Sequence, residues 1–591
     1  MPYNPTTGIH SSPYDPVPLP TEPLSIFDFL FRSSGPARDD RRPWILDSAD
    51  SSRSYTRFEA LRRTERLATA FHHARGVRDL SSVVVFSPND VDYGPCLWAA
   101  FRQGAVVSAA NPAYNATELA YQVKTVHKRY SVKLLLCHPD SIVEAVKACE
   151  EAHLSSEMIV LMHRRHDPDL PTSPKTDHAR ALSKAFPTLD DLVNETKSCE
   201  LPDKVTLESH EARTKLALLS FSSGTTGLPK GVEIPHFSLI ANVLQATRHW
   251  ENTFPFTPYN AETKKGDVVL ACLPFYHIYG LVVVLHGSLY NDLPVVVQSK
   301  FSLAAFCQAI AAFRVSILFV VPPQIVLLVK QDVSQWDLSC VRMAMAGAAP
   351  LGEETLQAFL KKFPHSKCGQ GYGMTETSTV ISLLDARWPG GFPSASAGIL
   401  IPNIEAKIVS PEGKCLGPGE IGELWARSPS NALGYLDNDK ATRETFDAER
   451  FVHTGDECKI DEHGLLFILD RIKELIKSSG FQVPPAELEA HLLTHPSVQD
   501  VAVIGIPDER RGEAPKAYVV LSPSAVSRLS SSERELVDEL KQYVVDHKVK
   551  YKALAEVEFV DAVPKTPSGK LLRKELRARH AQSAKGTKSK L

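Results

Sequence analysis

The chain has almost no charge imbalance: 66 Lys and Arg face 69 Asp and Glu over 591 residues, a net −3. Such a balance offers no global field for holding nucleic acid or an anionic membrane. The ten cysteines include no C-x-x-C pair and no Cys–His spacing of a zinc site. Neither a metal framework nor a disulfide framework can be read from them, and reduced thiols of an intracellular protein are the simpler expectation. Long apolar runs are missing as well. The most apolar stretch, SILFVVPPQIVLLV, falls short of the ~20 residues of a membrane span, and Pro322 and Pro323 interrupt it. No transmembrane segment and no nucleic-acid partner are expected. The start, MPYNPTTGIHSSPYDPVPLPTEPLS, has seven prolines and no apolar core segment, which excludes a secretory signal. Residues 1–24 are read as an extended, Pro-rich surface segment.

What the chain does have is a glycine- and hydroxyl-rich loop with one lysine, SSGTTGLPKG at 222–231. A Walker A loop requires glycine before its lysine, Ser or Thr after it, and a strand-to-helix passage. Here Pro229 precedes Lys230 and Gly231 follows it. The run GVEI comes next, and helical spacing (Leu239, Ile240, Val243, Leu244) begins only after Pro235. The loop therefore joins strand to strand and is not a Walker loop.

Around it, buried-looking runs (SSVVVFSP, VKLLLCHP, MIVLMH, DVVLACLP, PVVVQS, ILFVVPP, VRMAMAG) alternate with helix-length segments. Continuous apolar runs suit parallel strands covered on both faces. Segment 163–212 is polar and reads as a surface excursion. After Asp470 the texture changes: a helix follows Pro484 and Pro485, two strands come next, and Ser532-x-x-Glu535 reads as a capping box opening another helix. The expected fold is α/β. A large N-terminal domain (25–472) of parallel-rich sheets flanked by helices precedes a small α+β C-terminal domain (473–580). A basic tail (581–591) ends the chain.

Downstream of the loop stand, in order, GQGYGMTETS (369–378), FVHTGDECKIDEHG (451–464), DRIKELIKSSGFQVPPAELE (470–489) and PKTPSGKLLRKEL (564–576). Together with SSGTTGLPKG these five motifs resemble the adenylate-forming superfamily, which includes acyl-CoA synthetases, luciferases and nonribosomal peptide adenylation domains. The wording PFYHIYG, AGAAPL, GYGMTE and GFQVPPAELE is most similar to its 4-coumarate:CoA ligase-like branch. The resemblance implies a small β-barrel-like subdomain in the large domain and a mobile small domain. It also implies ATP, Mg²⁺ and CoA as cofactors, and two half-reactions. A carboxylate attacks the α-phosphorus of ATP to give acyl-AMP and pyrophosphate, and the CoA thiol then displaces AMP. Bringing two anions together demands cations and donors that offset their repulsion.

Carried over residue by residue, the resemblance implies these roles. Ser222, Ser223, Gly224, Thr225, Thr226, Gly227 and Lys230 offer donors to the β- and γ-phosphates. Thr375 serves the α-phosphate, and Glu376 orders Mg²⁺. Gly347, Ala348, Ala349, Gln370, Gly371 and Tyr372 frame the adenine. Asp456 accepts from the ribose hydroxyls, the logic by which an acid reads a ribose in dinucleotide folds, with Arg471 as a second ribose contact. Lys570 bridges the acyl carboxylate and α-phosphate. Lys473 is the hinge of the small domain, while Lys477 and Gln482 serve the adenylate when that domain presents its other face. Lys300 reaches a CoA phosphate. Plant ligases often carry a bulky residue and a second lysine after the position of Lys477. This chain has Ser478-Ser479-Gly480 there, which leaves backbone contacts from Ser479 and Gly480.

His277 aligns beside the acyl site, and Tyr279, Val283 and Met345 line its pocket. Met345 and Val283 replace positions that are polar in the coumarate enzymes, so the pocket reads as more apolar. Medium-chain fatty, phenylpropanoid or phenylacetic, and bulkier secondary-metabolite acids all remain open as substrates. An enzyme loading a separate carrier protein and a luciferase-like oxidative enzyme are the alternatives. The 21 residues after Lys570 are expected to leave no room for a fused carrier. The terminal Ser589-Lys590-Leu591 on a Lys-rich tail reads as a peroxisomal matrix address, with the import receptor as partner.

Overall fold

The computed structural model describes residues 3–32, 42–163, 179, 181–222, 228–260, 263, 265–388, 393, 395–479, 481–508, 510–566 and 570–588. A six-stranded sheet grows from the run SVVVF. Every residue of Ser82–Phe86 is buried, and the strand pairs in parallel with Val106–Ala110 and Val132–Cys137. Alternate side chains take opposite faces, as a two-residue period requires. Val83 and Val85 pack with Phe71 and Trp98, while Val84 and Phe86 pack with Leu119, Val123 and Ile142. The polar excursion contains a capped helix, Leu189–Glu195, with Leu189 and Leu192 buried.

A second sheet of fifteen strands has two halves. Pro43–Asp47, Val295–Val297, Val269–Ala271, Ile317–Val320, Met343–Ala346 and Lys367–Met374 run parallel. Lys367–Met374 then turns into Thr379–Leu383, its antiparallel neighbour. From there the sheet continues antiparallel through Gly398–Leu400, Leu465–Arg471, Val452–Ile460, Gly422–Arg427 and Glu405–Val409. The N-terminal segment is more than an extended surface strand. Tyr3–Asn4 and Ile9–Ser11 form a hairpin on the edge of Glu405–Val409. Tyr14 Oη donates to Asp385 at 2.6 Å and Val17 N donates to Asn403 Oδ1 at 2.8 Å. Covering an open sheet edge in this way satisfies its unpaired backbone groups.

Leu465–Arg471 is the last strand of the large sheet in sequence, and Ile476–Ser478 already belongs to a separate five-stranded sheet. Its long antiparallel pair, Val498–Asp508 with Gly512–Leu521, packs on helices Pro485–Leu492 and Pro523–His547. The second helix corrects the capping-box reading. It starts at Pro523 and runs through Ser532 and Glu535 without a break. Proline at the first helical position lacks only an N–H that would be unpaired anyway, so Ser522-Pro523 is the actual start. Among the described residues no helix is long and apolar enough to cross a membrane.

Candidate active site

Leu216–Ser222 and Lys230–Pro235 pair antiparallel with Ser222 opposite Lys230. The two ends of the glycine loop are therefore held side by side on one hairpin. Ser223, Gly224, Thr225, Thr226 and Gly227 lie outside the described residues. The outer edge of this hairpin is covered by 433–436, through Leu433 N to Glu233 O at 2.9 Å and Leu436 N to Gly231 O at 2.8 Å. This packing brings in Tyr435. The Lys230 ammonium lies 4.8 Å from its ring centroid, and its hydroxyl donates to Glu376 Oε1 at 2.7 Å. Tyr435 thus ties the loop lysine to the candidate metal carboxylate.

Thr375 and Glu376 sit on a tight turn, Thr375–Thr377, at the seam between the parallel and antiparallel halves of the large sheet. Glu376 is buried, and its backbone carbonyl accepts from Ala432 N at 2.8 Å. On the nucleoside side, Gly347 is close-packed: a Cβ there would stand 2.8 Å from the Tyr279 ring. Ala348 has φ 69°, and its exposed side chain and half-buried Ala349 leave an open shelf. Gln370 is buried and its side chain is engaged by the backbone around it. Its Oε1 accepts from Leu351 N at 2.7 Å, and its Nε2 is turned to the Leu351 and Ser396 carbonyls. Its side chain braces the shelf from below. At Gly371 a Cβ would meet Leu383 Cδ2 at 3.0 Å and Met345 Sδ at 3.3 Å.

Tyr372 Oη donates to Asp456 Oδ2 at 2.5 Å, and Arg471 Nε lies 3.4 Å from Asp456 Oδ1. Asp456 and Arg471 face each other in register on adjacent strands, which is why two motifs 15 residues apart converge. Burial pushes the Asp456 carboxyl above the usual range, while Arg471, Tyr372 and Lys570 pull it back.

On the acyl side, Tyr279 Oη donates to the Met345 carbonyl at 3.1 Å. Met345 and Val283 are both buried. A small cavity of about 10 Å³ adjoins Val283, lined by Val243, Ala246, Trp250, Phe256 and Val282 and by the polar Asn242, Thr247, Ser288 and Asn291. His277 is depressed to about 4, first by burial and then by the Lys570 charge, so its imidazole is neutral at ordinary pH.

Lys570 reaches this site from the small sheet's side of the molecule. Its ammonium is lowered to about 8 by burial and by Arg471, against the pull of Glu474, Asp456 and Glu376. Its loop is closed by Thr566 N to Lys570 O at 2.8 Å and Lys570 N to Thr566 Oγ1 at 3.0 Å. Three residues on, the Arg573 guanidinium pairs with Glu474 and with Glu489, the latter at 2.7 Å. Glu489 Oε1 also accepts from Val503 N at 2.8 Å. These buried pairs hold the Lys570 loop against the segment that joins the two sheets.

The structure does not bring every candidate here. Lys477 and Gln482 face each other across strands Ile476–Ser478 and Phe481–Val483, both exposed. Lys473, Ser479 and Lys300 are exposed as well, and Gly480 lies outside the described residues. Sequence reading missed Tyr435, because GYLDND carries no signal without the hairpin it covers. It also missed Glu474, Glu489 and Arg573, which stood inside quoted motifs but show their pairing only in three dimensions.

A mixed sheet that changes sense at a Thr-Glu turn, an Asp–Arg pair whose carboxylate is buried, and a lysine delivered from a second unit describe a two-unit α/β protein of the adenylate-forming kind. Comparison with known proteins agrees. The AMP-binding enzyme family matches residues 35–436, and the AMP-binding enzyme C-terminal domain matches 487–570. The chain belongs to the AMP-binding enzyme family. It is 37% identical to 4-coumarate–CoA ligase 1 of Oryza sativa subsp. japonica, covering 91% of this chain and 89% of that one. It is 38% identical to the 4-coumarate–CoA ligase of Vanilla planifolia, covering 86% of each. Among solved structures, ATP-bound MatB from Rhodopseudomonas palustris superposes with a TM-score of 0.76 at 25% identity, covering 94% of this chain and 98% of that one. The anthranilate CoA ligase AuaEII in complex with anthranoyl-AMP shares the fold with a TM-score of 0.79 at 23% identity, covering 95% and 98%.

Proposed function

We propose that this protein is an AMP-forming acyl- or aryl-CoA ligase. The observation that carries the reading is Lys570, almost 350 residues from the glycine loop, half-buried and within electrostatic reach of Arg471, Asp456 and Glu376. In the first half-reaction a carboxylate oxygen bonds to the α-phosphorus of ATP while the bond to pyrophosphate breaks. In the second, the CoA sulfur bonds to the acyl carbon, and AMP and the thiol proton leave. Lys570, as an ammonium, draws the two anions together. Asp456, with Tyr372 and Arg471, fixes the ribose, and Thr375 lies next to Glu376 for the α-phosphate. Little covalent work falls to the protein, so positioning and fixed charge supply most of the acceleration.

Glu376 suits Mg²⁺ that arrives on phosphate oxygens. Among the described residues no group of three His, Cys, Asp or Glu could hold an ion alone, and Mg²⁺ commonly takes one or two carboxylates plus phosphates. Tyr435 occupies Oε1 and orients the carboxylate toward that task. When bound, the ion neutralises charge on the transferring phosphates.

The buried Met345 and Val283 support an acid with an apolar body. The relatives named for 4-coumarate place aryl propenoic acids first in a panel with medium-chain fatty acids. An apolar pocket discriminates by only about 1–3 kcal/mol per methylene, which favours a broad range. The exposed Lys477–Gln482 pair supports a second arrangement, in which the small unit turns about Lys473 and presents that face for CoA. Measuring pyrophosphate release with and without CoA over the acid panel tests the reading. Acid-dependent release plus CoA-dependent thioester supports it, and release with no thioester from any acid overturns the CoA step. We also propose peroxisomal residence by Ser589-Lys590-Leu591, which lie outside the described residues. Deleting Leu591 should leave a tagged protein in the cytosol, and unchanged organellar import would refute the address.

A further inference from the structure

Helix Pro485–Leu492 of the small unit is held at both ends by side chains of the large unit. Its own start is poor. Pro484 and Pro485 supply no capping side chain, so the Ala486 N–H has no local partner of the usual N-cap kind. Asp470, the residue before Arg471 on the large sheet, fills the gap: its Oδ2 accepts from Ala486 N at 3.0 Å. Asp470 is 7% exposed, and its other oxygen accepts from Arg471 N at 2.7 Å. At the far end, Lys330, the last residue of helix Pro322–Lys330, donates to the Leu493 carbonyl at 3.3 Å and the Val498 carbonyl at 2.9 Å. Leu493 is the C-cap of the helix. An anion at the positive end and a cation at the negative end is the arrangement a helix dipole favours. The same helix carries Glu489, which grips Arg573 at 2.7 Å and through it the Lys570 loop.

We propose that Lys330 and Asp470 are positioning residues that seat the small unit with Lys570 inward, and so favour adenylation over thioester formation. Their contacts link the large unit to the small one in the arrangement that has Lys570 inward, and a turn of the small unit about Lys473 would have to break them. This inference rests on the ligase reading above. Lys330→Met should lower ATP- and acid-dependent pyrophosphate release roughly five- to twentyfold, the scale of charge-assisted hydrogen bonds. Thioester formation from supplied cinnamoyl-AMP and CoA should stay within twofold. Lys330→Arg should recover most of the loss. Asp470→Ala should act in the same direction, and Asp470→Asn, which keeps an acceptor for Ala486, should be milder.

A second measurement does not depend on any acid being accepted. Energy transfer between dyes on unnatural residues at the exposed positions Lys361 and Val545 reports the arrangement in the presence of ATP. Lys330→Met should shrink the wild-type major population at least twofold. Equal loss of both half-reactions, selective loss of the thioester step, or an unchanged distance distribution overturns the proposal. A wild-type enzyme that activates no acid but shows the expected distance shift would refute the ligase reading and leave the positioning role standing.

Discussion

At the level of single residues, the ionisation states of the site are set by burial more than by partners. Lys570 is depressed to about 8, so its ammonium is lost as pH rises through that value. The kcat/KM for acid-dependent pyrophosphate release should fall on the alkaline side with a midpoint near 8, and Lys570→Arg should remove that limb by keeping the charge. His277 titrates near 4, so no histidine limb should appear between pH 5.5 and 7.5. Lys570→Ala should cut adenylation by about 10²-fold or more while sparing thioester formation from supplied acyl-AMP; removing one preorganised stabilising group commonly costs that much. Equal loss of both steps would sink the assigned role. Tyr435→Phe deletes the hydrogen bond that orients Glu376. The Mg²⁺ concentration for half-maximal pyrophosphate release should rise several-fold, with the loss about the ~1 kcal/mol of one hydrogen bond.

Among elements, the hairpin Lys367–Met374 with Thr379–Leu383 does most to place the chemistry, since it carries Gly371, Tyr372, Thr375 and Glu376 on one seam. Gly373 makes that seam possible. A Cβ at 373 would fall 1.5 Å from the Thr379 carbonyl oxygen, a backbone atom that cannot move aside without breaking the strand pair. Gly373→Ala should destabilise the large domain by at least ~1–3 kcal/mol, the usual cost of overpacking, seen as a lower midpoint in urea unfolding. An unchanged midpoint would mean the turn has slack. The hydrophobic runs announced most parallel strands, because a strand buried on both faces leaves no polar alternation to confuse it with a surface helix. The helix Pro523–His547 was read too short for a local reason: Ser-x-x-Glu inside a long helix looks the same as a capping box until the preceding turn is seen.

For the whole molecule, the small unit is braced beside the junction by buried charge. Arg573, Glu474 and Glu489 have side chains only 9–11% exposed. Removing the cation of this network leaves Glu474 and Glu489 buried without their counter-ion, Glu489 keeping the Val503 N–H, at about 3–5 kcal/mol. Arg573→Met should therefore give a separate, earlier calorimetric transition for the small unit. A single unshifted transition would show that the network contributes little.

The sequence by itself determined the membership in an adenylate-forming family and the exclusion of a Walker loop, and it singled out Lys570, Asp456 and Glu376 as candidates. These follow from residue type and order, which local motifs retain. The tertiary structure alone decided that Lys570 lies toward Asp456 and Glu376 while Lys477 and Gln482 are exposed, that the Gln370 side chain is held by Leu351 and Ser396, and which groups Tyr435, Arg573, Asp470 and Lys330 engage. Each of those depends on pairing between segments 16 to more than 200 residues apart, where a one-dimensional pattern holds no record of distance, burial or the hydrogen bonds a backbone end has left unmade.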